Sequence, residues 1–444
     1  MNLNFAAAES YLIGTINETI SRRMPYRLER MYAFLRELGD PQNAYPTIHI
    51  GGTSGKGSTC TMTAAALQAS GLRVGLHTKP HLRSMTERAR IDGFSVPEER
   101  FAELLNGMMP AIEATATEHG RPTYYETLLG LAFKYFAEED VDVAVIEVGL
   151  GGRLDGTNVI VPEVAAITSV GFDHMDVLGD SLAAIAAEKA GIIKPGVPIV
   201  SGVDESSARA VIEEEARRQD APLIRVTDAA QIESTSGERY GQSFSVTTAN
   251  GTYEVSMPVL GIFQRRNAAT AILTLEQLRD GLRPPVDAIE RGLSQVAIPG
   301  RMEVFPGHPA IVFDIAHNAE KAQHLVASLA ERFPGRYCTF VVAIGESKDA
   351  TEIIRAFNAL PSNFIFTSFQ TAGREPAKPQ RLASIAESIG AWGRAIADPV
   401  EALSIARRNA SSDDVIVVTG STFIVAELRA WWLENVSDAR PNFA

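Results

Sequence analysis

Residues 47–50 read TIHI and run straight into Gly51-Gly52-Thr53-Ser54-Gly55-Lys56-Gly57-Ser58-Thr59. A buried-strand pattern, a glycine-rich turn, a lysine and a helical pattern over residues 56–70, stopped by Gly71, follow one another without a gap. That order constrains the chain to an α/β design in which a parallel strand feeds a turn and a covering helix. It also builds an anion cradle, because glycines let backbone N–H groups converge and the helix dipole adds partial positive charge. Gly52, Thr53, Ser54, Gly55, Lys56, Gly57 and Ser58 are therefore the candidate nucleotide-binding residues. Lys56 supplies a full charge for β- and γ-phosphates, and Ser58 or Thr59 is placed to reach a magnesium ion.

The rest of the chain repeats the same alternation. Residues 142–148 (DVAVIEV) and 163–170 (EVAAITSV) read as further strands, each followed by a polar, glycine-containing loop. Residues 181–190 read as a helix with Asp180 as its N-cap and Gly191 at its end. Residues 231–255, rich in Ser, Thr and Gly, read as a small antiparallel hairpin or meander. A second strand–helix series begins after Ile298-Pro299-Gly300, with strands expected at 311–313, 339–344, 363–367 and 415–418. Amphipathic segments at 321–332 and 351–360 separate them. The expected organisation is a nucleotide-binding domain over 1–298 and a smaller, doubly wound Rossmann-like domain over 299–444.

The ends of the expected strands carry the remaining chemistry. Glu147 closes one strand at the head of Glu147-Val148-Gly149-Leu150-Gly151-Gly152-Arg153-Leu154-Asp155. The next leads into Gly171-Phe172-Asp173-His174, and then comes Glu188-Lys189-Ala190-Gly191. Open α/β sheets place ligands at the carboxyl ends of their strands, so Glu147 and His174 are candidates to hold a cation beside the phosphates. Lys189 is odd in that company, because an ammonium repels a metal ion.

The segments GTSGKGST, VDVAVIEVGLGGRLDGTN, GFDHMDVLGDSLAAIAAEKAGIIKPG, PGRMEV and DIAHN resemble, in this order, the motifs of the folylpolyglutamate synthase / dihydrofolate synthase family. That family is a branch of the Mur-type amide ligases. The loop departs from G-x-x-x-x-G-K-[ST] by having Ile50 and Gly57 at the first-glycine and hydroxyl positions, which sets it apart from motor and signalling NTPases. The resemblance implies a P-loop, Mur-ligase-like parallel-sheet domain and a second α/β domain that closes over the nucleotide. It implies an ATP-dependent ligase that phosphorylates a carboxylic acid and lets an amino acid, glutamate, attack the acyl phosphate. By the same resemblance Glu147 and His174 join Ser58 as magnesium ligands, and Lys189 is the lysine that becomes carbamylated. Asn267, Arg301, Asp314 and His317 would contact ATP or the incoming amino acid, and Ser421 would lie near the amino-acid site. Lys56, Lys189, Asp314 and His317 are the expected catalytic set. Lys79 stands where the family has a magnesium-binding serine, and is expected to contact substrate and shift the choice of acid.

Composition sets the limits. Lys and Arg total 41 against 54 Asp and Glu, a formal charge of −13 that suits neither nucleic acid nor an anionic membrane. Two distant cysteines, Cys60 and Cys338, cannot form a disulfide framework and fit a reducing, cytoplasmic setting. No uninterrupted apolar run is long enough to span a bilayer. The expectation is a cytoplasmic, monomeric enzyme acting on small molecules. Two alternatives stay open: a ligase for a non-folate acid, and a nucleotide-binding regulatory protein without turnover.

Overall fold

Strands covered by helices on both faces are buried throughout, and so is every residue of TIHIG, VAVIE and VAAI. The polar His49 among them is paired with Thr157 Oγ1 at 2.8 Å. The computed structural model describes residues 3–16, 28–234, 241–370, 375–436 and 441. Its contacts divide the chain into two compact units. The first holds Met1–Glu233, Phe244–Val255 and Arg266–Ser294; the second holds Ser234–Ser243, Ser256–Arg265 and Gln295–Ala444. No helix among the described residues is long and apolar enough to cross a membrane.

The first unit is built on eight strands: β1 (Thr47–Gly51), β2 (Val74–His77), β3 (Arg90–Ile91), β4 (Phe94–Ser95), β5 (Val143–Glu147), β6 (Val164–Ile167), β7 (Ile199–Ser201) and β8 (Leu223–Arg225). Their spatial order is β4-β3-β2-β5-β1-β6-β7-β8. From β2 to β8 every neighbour is parallel, while β3 and β4 add an antiparallel edge. β1 lies between β5 and β6, with Ile50 opposite Glu147 and Gly51 opposite Ile167. The loops after these three strands therefore emerge side by side. The helix after β1 is Lys56–Ala69, as its pattern predicts. The later helix is Leu182–Ala190, and its N-cap is Ser181 rather than Asp180: the Ser181 hydroxyl accepts from Ala184 N at 3.2 Å. One core, around Phe34, Phe101, Phe133 and Phe136, lies on one side of the sheet. A second, around Val148, Ile167, Ile192 and Ile212, fills the space under Leu182–Ala190 and Ser206–Arg218.

A separate three-stranded sheet holds β9 (Gln231–Ser234), β10 (Gln242–Thr248) and β11 (Gly251–Met257), in the order β11-β10-β9. The second unit is built on β12 (Glu303–Phe305), β13 (Ala310–Phe313), β14 (Cys338–Val342), β15 (Ser362–Phe366), β16 (Gly393–Ala395) and β17 (Val415–Thr419). Their order is β12-β13-β17-β14-β15-β16, parallel except for β12. Phe340 stacks on Phe357 and Phe364 at 5.0 and 5.5 Å, so aromatic rings carry much of this core.

Candidate active site

The loop after β1 is held by the loop after β6. Thr53 N donates to Ser169 O, and Ser54 N to Ser169 Oγ, both at 2.9 Å. Thr168 Oγ1 donates back to Ser54 O at 2.6 Å, and Gly171 N to Thr53 Oγ1 at 3.0 Å. The backbone N–H groups of Thr53 and Ser54 are thus spent on fixing the loop. Those of Lys56, Gly57 and Ser58, in the first turn, have no intrahelical acceptor and are free to meet an anion. Gly55 sits at the N-cap with φ of +86° and no side-chain cap. A Cβ there would enter a strained region and collide with the Asn267 side-chain oxygen, which places Asn267 against the loop. Lys56 folds back on this loop, its Nζ donating to Gly52 O at 2.8 Å and Thr53 O at 3.2 Å.

Glu147, at the carboxyl end of β5, is 3% exposed. Its Oε2 lies 3.3 Å from where a Cβ on Gly57 would stand, so the carboxylate abuts the N-terminal turn of the helix. The same Oε2 accepts from Lys79 N at 3.0 Å. Burial first, and then the Lys56 charge, lower the Lys79 amine to about 8, so it still carries its charge at neutral pH. Cys60, next on this helix, is no nucleophile: burial and then Glu147 push its thiol up.

The 149–155 loop docks on the helix that carries Lys189. Arg153 N donates to Glu188 O at 2.8 Å, and a Cβ on Gly152 would lie 2.9 Å from Lys189 O. Lys189 is 3% exposed. His174, with φ of +51°, keeps about half its side chain exposed, its Nε2 3.8 Å from Asp173 Oδ1. Among the described residues no three His, Cys, Asp or Glu side chains are gathered as a metal cluster. Glu147 and the Ser58 hydroxyl nevertheless offer hard oxygens beside the loop, the donor type that suits magnesium with most of its waters retained.

The sequence reading missed the polar network beside Glu147. Asp155 accepts from Leu150 N at 2.7 Å, from Thr157 Oγ1 at 2.6 Å and from Tyr125 OH at 3.0 Å. Burial and then Asp155 hold the Tyr125 phenol well above its usual range. His77 Nδ1 donates to Arg88 O at 2.7 Å, and burial lowers this imidazole to about 4. The one available signal was Asp155 itself, within GRLDGTN.

In the second unit, Asp314, His317 and Ser421 follow β13 and β17, which are adjacent and parallel. Asp314 accepts from Met302 N and Ala316 N, both at 2.9 Å, and so ties the Arg301 turn to the loop of His317. Burial raises the Asp314 carboxyl, and the Arg301 charge opposes that rise. His317 Nδ1 donates to Ile315 O at 2.9 Å, and Lys321 Nζ lies 3.2 Å from its Nε2. Gly420 N donates to Ala316 O at 3.0 Å, while the Ser421 hydroxyl caps the helix Thr422–Asn435 through Phe423 N. Asp314, Arg301 and His317 are thus brought together, with Ser421 at the adjoining strand end.

A phosphate cradle at the switch point of a parallel sheet, joined in sequence to a second α/β unit, defines an ATP-using ligase of the Mur type. Residues 50–275 match the Mur ligase middle domain and residues 300–422 the Mur ligase glutamate ligase domain. The dihydrofolate synthase/folylpolyglutamate synthase of Bacillus subtilis is 35% identical over 407 residues, 90% of this chain and 94% of that protein. The folylpolyglutamate synthase of Thermotoga maritima superposes with a TM-score of 0.84 at 32% identity, covering 97% of each chain. That of Mycobacterium tuberculosis, complexed with ADP, gives 0.87 at 30% identity, covering 96% of this chain and 98% of its own. The chain belongs to the folylpolyglutamate synthase / dihydrofolate synthase family of Mur-type ligases.

Proposed function

We propose that this chain joins L-glutamate to the carboxyl group of a dihydropteroate- or folate-type acid, consuming ATP and releasing ADP and phosphate. The observation that carries this reading is the cradle in which Lys56, Glu147 and the free N–H groups of the first turn meet. ATP lies with its phosphates on that turn, and Lys56 leaves the carbonyls of Gly52 and Thr53 for the transferring phosphoryl group. There its charge offsets the repulsion between ATP and the acid. Phosphoryl transfer gives an acyl phosphate, the glutamate amine attacks its carbonyl, and phosphate leaves with the amide formed. No side-chain nucleophile is needed, in keeping with the protonated Cys60. Asn267 steadies the loop from the Ile262–Glu276 helix. Arg301, Asp314 and His317 address the nucleotide or the amino acid, with Ser421 near the latter.

Glu147 and Ser58, with His174, would hold magnesium, which when bound screens phosphate charge. The enzyme is read as a cytoplasmic monomer with two buried free cysteines. The test is coupled ADP release with ATP, glutamate and either dihydropteroate or a folate, followed by mass spectrometry of the products. ADP release that needs both acid and glutamate, with a product one glutamate heavier, is the expected result. ADP formed without acid, or none with any acid, refutes the ligase reading. A product only from a non-folate acid refutes the folate assignment alone.

Lys189 carries a carbamate in the working enzyme, formed when its neutral amine adds CO2 and releases a proton. The modification turns a cation that would repel magnesium into an anion. Carbon-13 NMR in labelled bicarbonate is expected to show a protein carbamate signal in the wild type that Lys189→Ala lacks. An identical spectrum from both proteins rules it out.

A further inference from the structure

The phosphate cradle contains more positive charge than the loop alone explains. Lys79 follows β2, the neighbour of β5, and its backbone N–H is pinned to Glu147 Oε2 at 3.0 Å. That Oε2 lies 3.3 Å from where a Cβ on Gly57 would stand, which sets Lys79 beside the turn that begins at Lys56. Burial and then the Lys56 charge lower the Lys79 amine, and Glu147 and Asp155 oppose that. Two like charges held together in a half-buried place are costly unless something anionic joins them. Glu147 and Asp155 favour the Lys79 charge, but neither bonds its ammonium. Asp155 spends its oxygens on Leu150 N, Thr157 and Tyr125. Glu147 takes the Lys79 N–H rather than its ammonium. Among the described residues the Lys79 side chain makes no hydrogen bond and no ion pair. The Lys56 ammonium is likewise on neutral carbonyls.

We infer that Lys79 is a second fixed cation of the phosphate site, paired with Lys56, and that it binds the polyphosphate of the nucleotide directly. This rests on the reading of the loop as an ATP cradle. An ammonium has three donors and no lone pair, so Lys79 cannot ligate a metal. As the charged ammonium it does with a tethered charge what a bound cation does with an exchangeable one. The consequence is specific: Lys79 makes nucleotide binding less dependent on magnesium.

The experiment is calorimetric titration of the full chain with a non-hydrolysable ATP analogue, in excess magnesium and again in chelator. For the wild type, removing magnesium is expected to weaken binding by less than about tenfold. In Lys79→Met the metal-free affinity falls a further tenfold or more, while affinity with magnesium changes by less than about threefold. Lys79→Arg, which keeps the charge, behaves as the wild type. Lys79→Gln, polar and of similar length, repeats the Met result if charge is the cause and guards against a folding defect in Met. Met and Gln variants that bind as the wild type in both buffers overturn the inference, as does an equal loss in both. A wild type that binds no nucleotide in either buffer overturns the ATP-cradle reading itself.

Discussion

Lys56→Ala slows acid-dependent ADP formation by about two orders of magnitude or more, the loss expected when one preorganised electrostatic group is removed from a transferring phosphoryl group. The fold should tolerate the change. Among the described residues the ammonium makes two hydrogen bonds, both to carbonyls of its own loop. That loop is tied down independently by Ser169 and Thr168. The kinetic signature separates roles: a group acting mainly in the transition state lowers kcat, whereas a simple nucleotide anchor raises KM for ATP. Steady-state ADP release at several ATP concentrations measures both. Near-normal turnover in the folded variant would remove Lys56 from the chemistry.

What the sequence made legible was whatever is encoded within a few residues. The strand, turn and helix of the cradle are contiguous, and the helix begins at Lys56 as its pattern requires. The short strands of both sheets were readable for the same reason, as mostly apolar runs bounded by turn residues. Local choices between equivalent residues were harder: Asp180 and Ser181 both suit an N-cap, and the backbone geometry selects Ser181. Contacts across the sheet were not legible. Ser169 and Thr168 hold a loop more than a hundred residues earlier in the chain. They do so because β6 pairs with β1, and no spacing rule announces that pairing. The setting of Lys79 depends likewise on β2 lying beside β5. Its identity was visible in the sequence, and its place at the family's magnesium-binding serine implied that Glu147 was near. The bond from its N–H to Glu147 was not visible.

The second large effect falls on stability, at a pair of which only Glu303, within PGRMEV, lies in a motif. Glu303 on β12 has a fully buried side chain and meets Arg429 through two bonds, Oε2 to Nε at 2.6 Å and Oε1 to Nη2 at 2.8 Å. The same Oε2 accepts from Gly300 N at 2.8 Å, so the pair also shapes the turn that presents Arg301. Removing one member of a buried pair leaves the other charged without compensation, at a cost of about 3 kcal/mol. Arg429→Leu should therefore lower the unfolding temperature of the second unit by about 6–12 °C. All three tryptophans, Trp392, Trp431 and Trp432, belong to that unit, so their fluorescence follows it within the full chain. Glu303→Leu combined with Arg429→Leu should recover most of the loss, because two apolar groups replace two charges. Recovery should stay incomplete, since the Gly300 N–H then has no acceptor. A single variant that melts with the wild type would mean that water reaches Glu303 once the guanidinium is gone. The turn bearing Arg301 would then still be held by Glu303 through Gly300 N, by Asp314 through Met302 N, and by Ile315 N on Gly300 O.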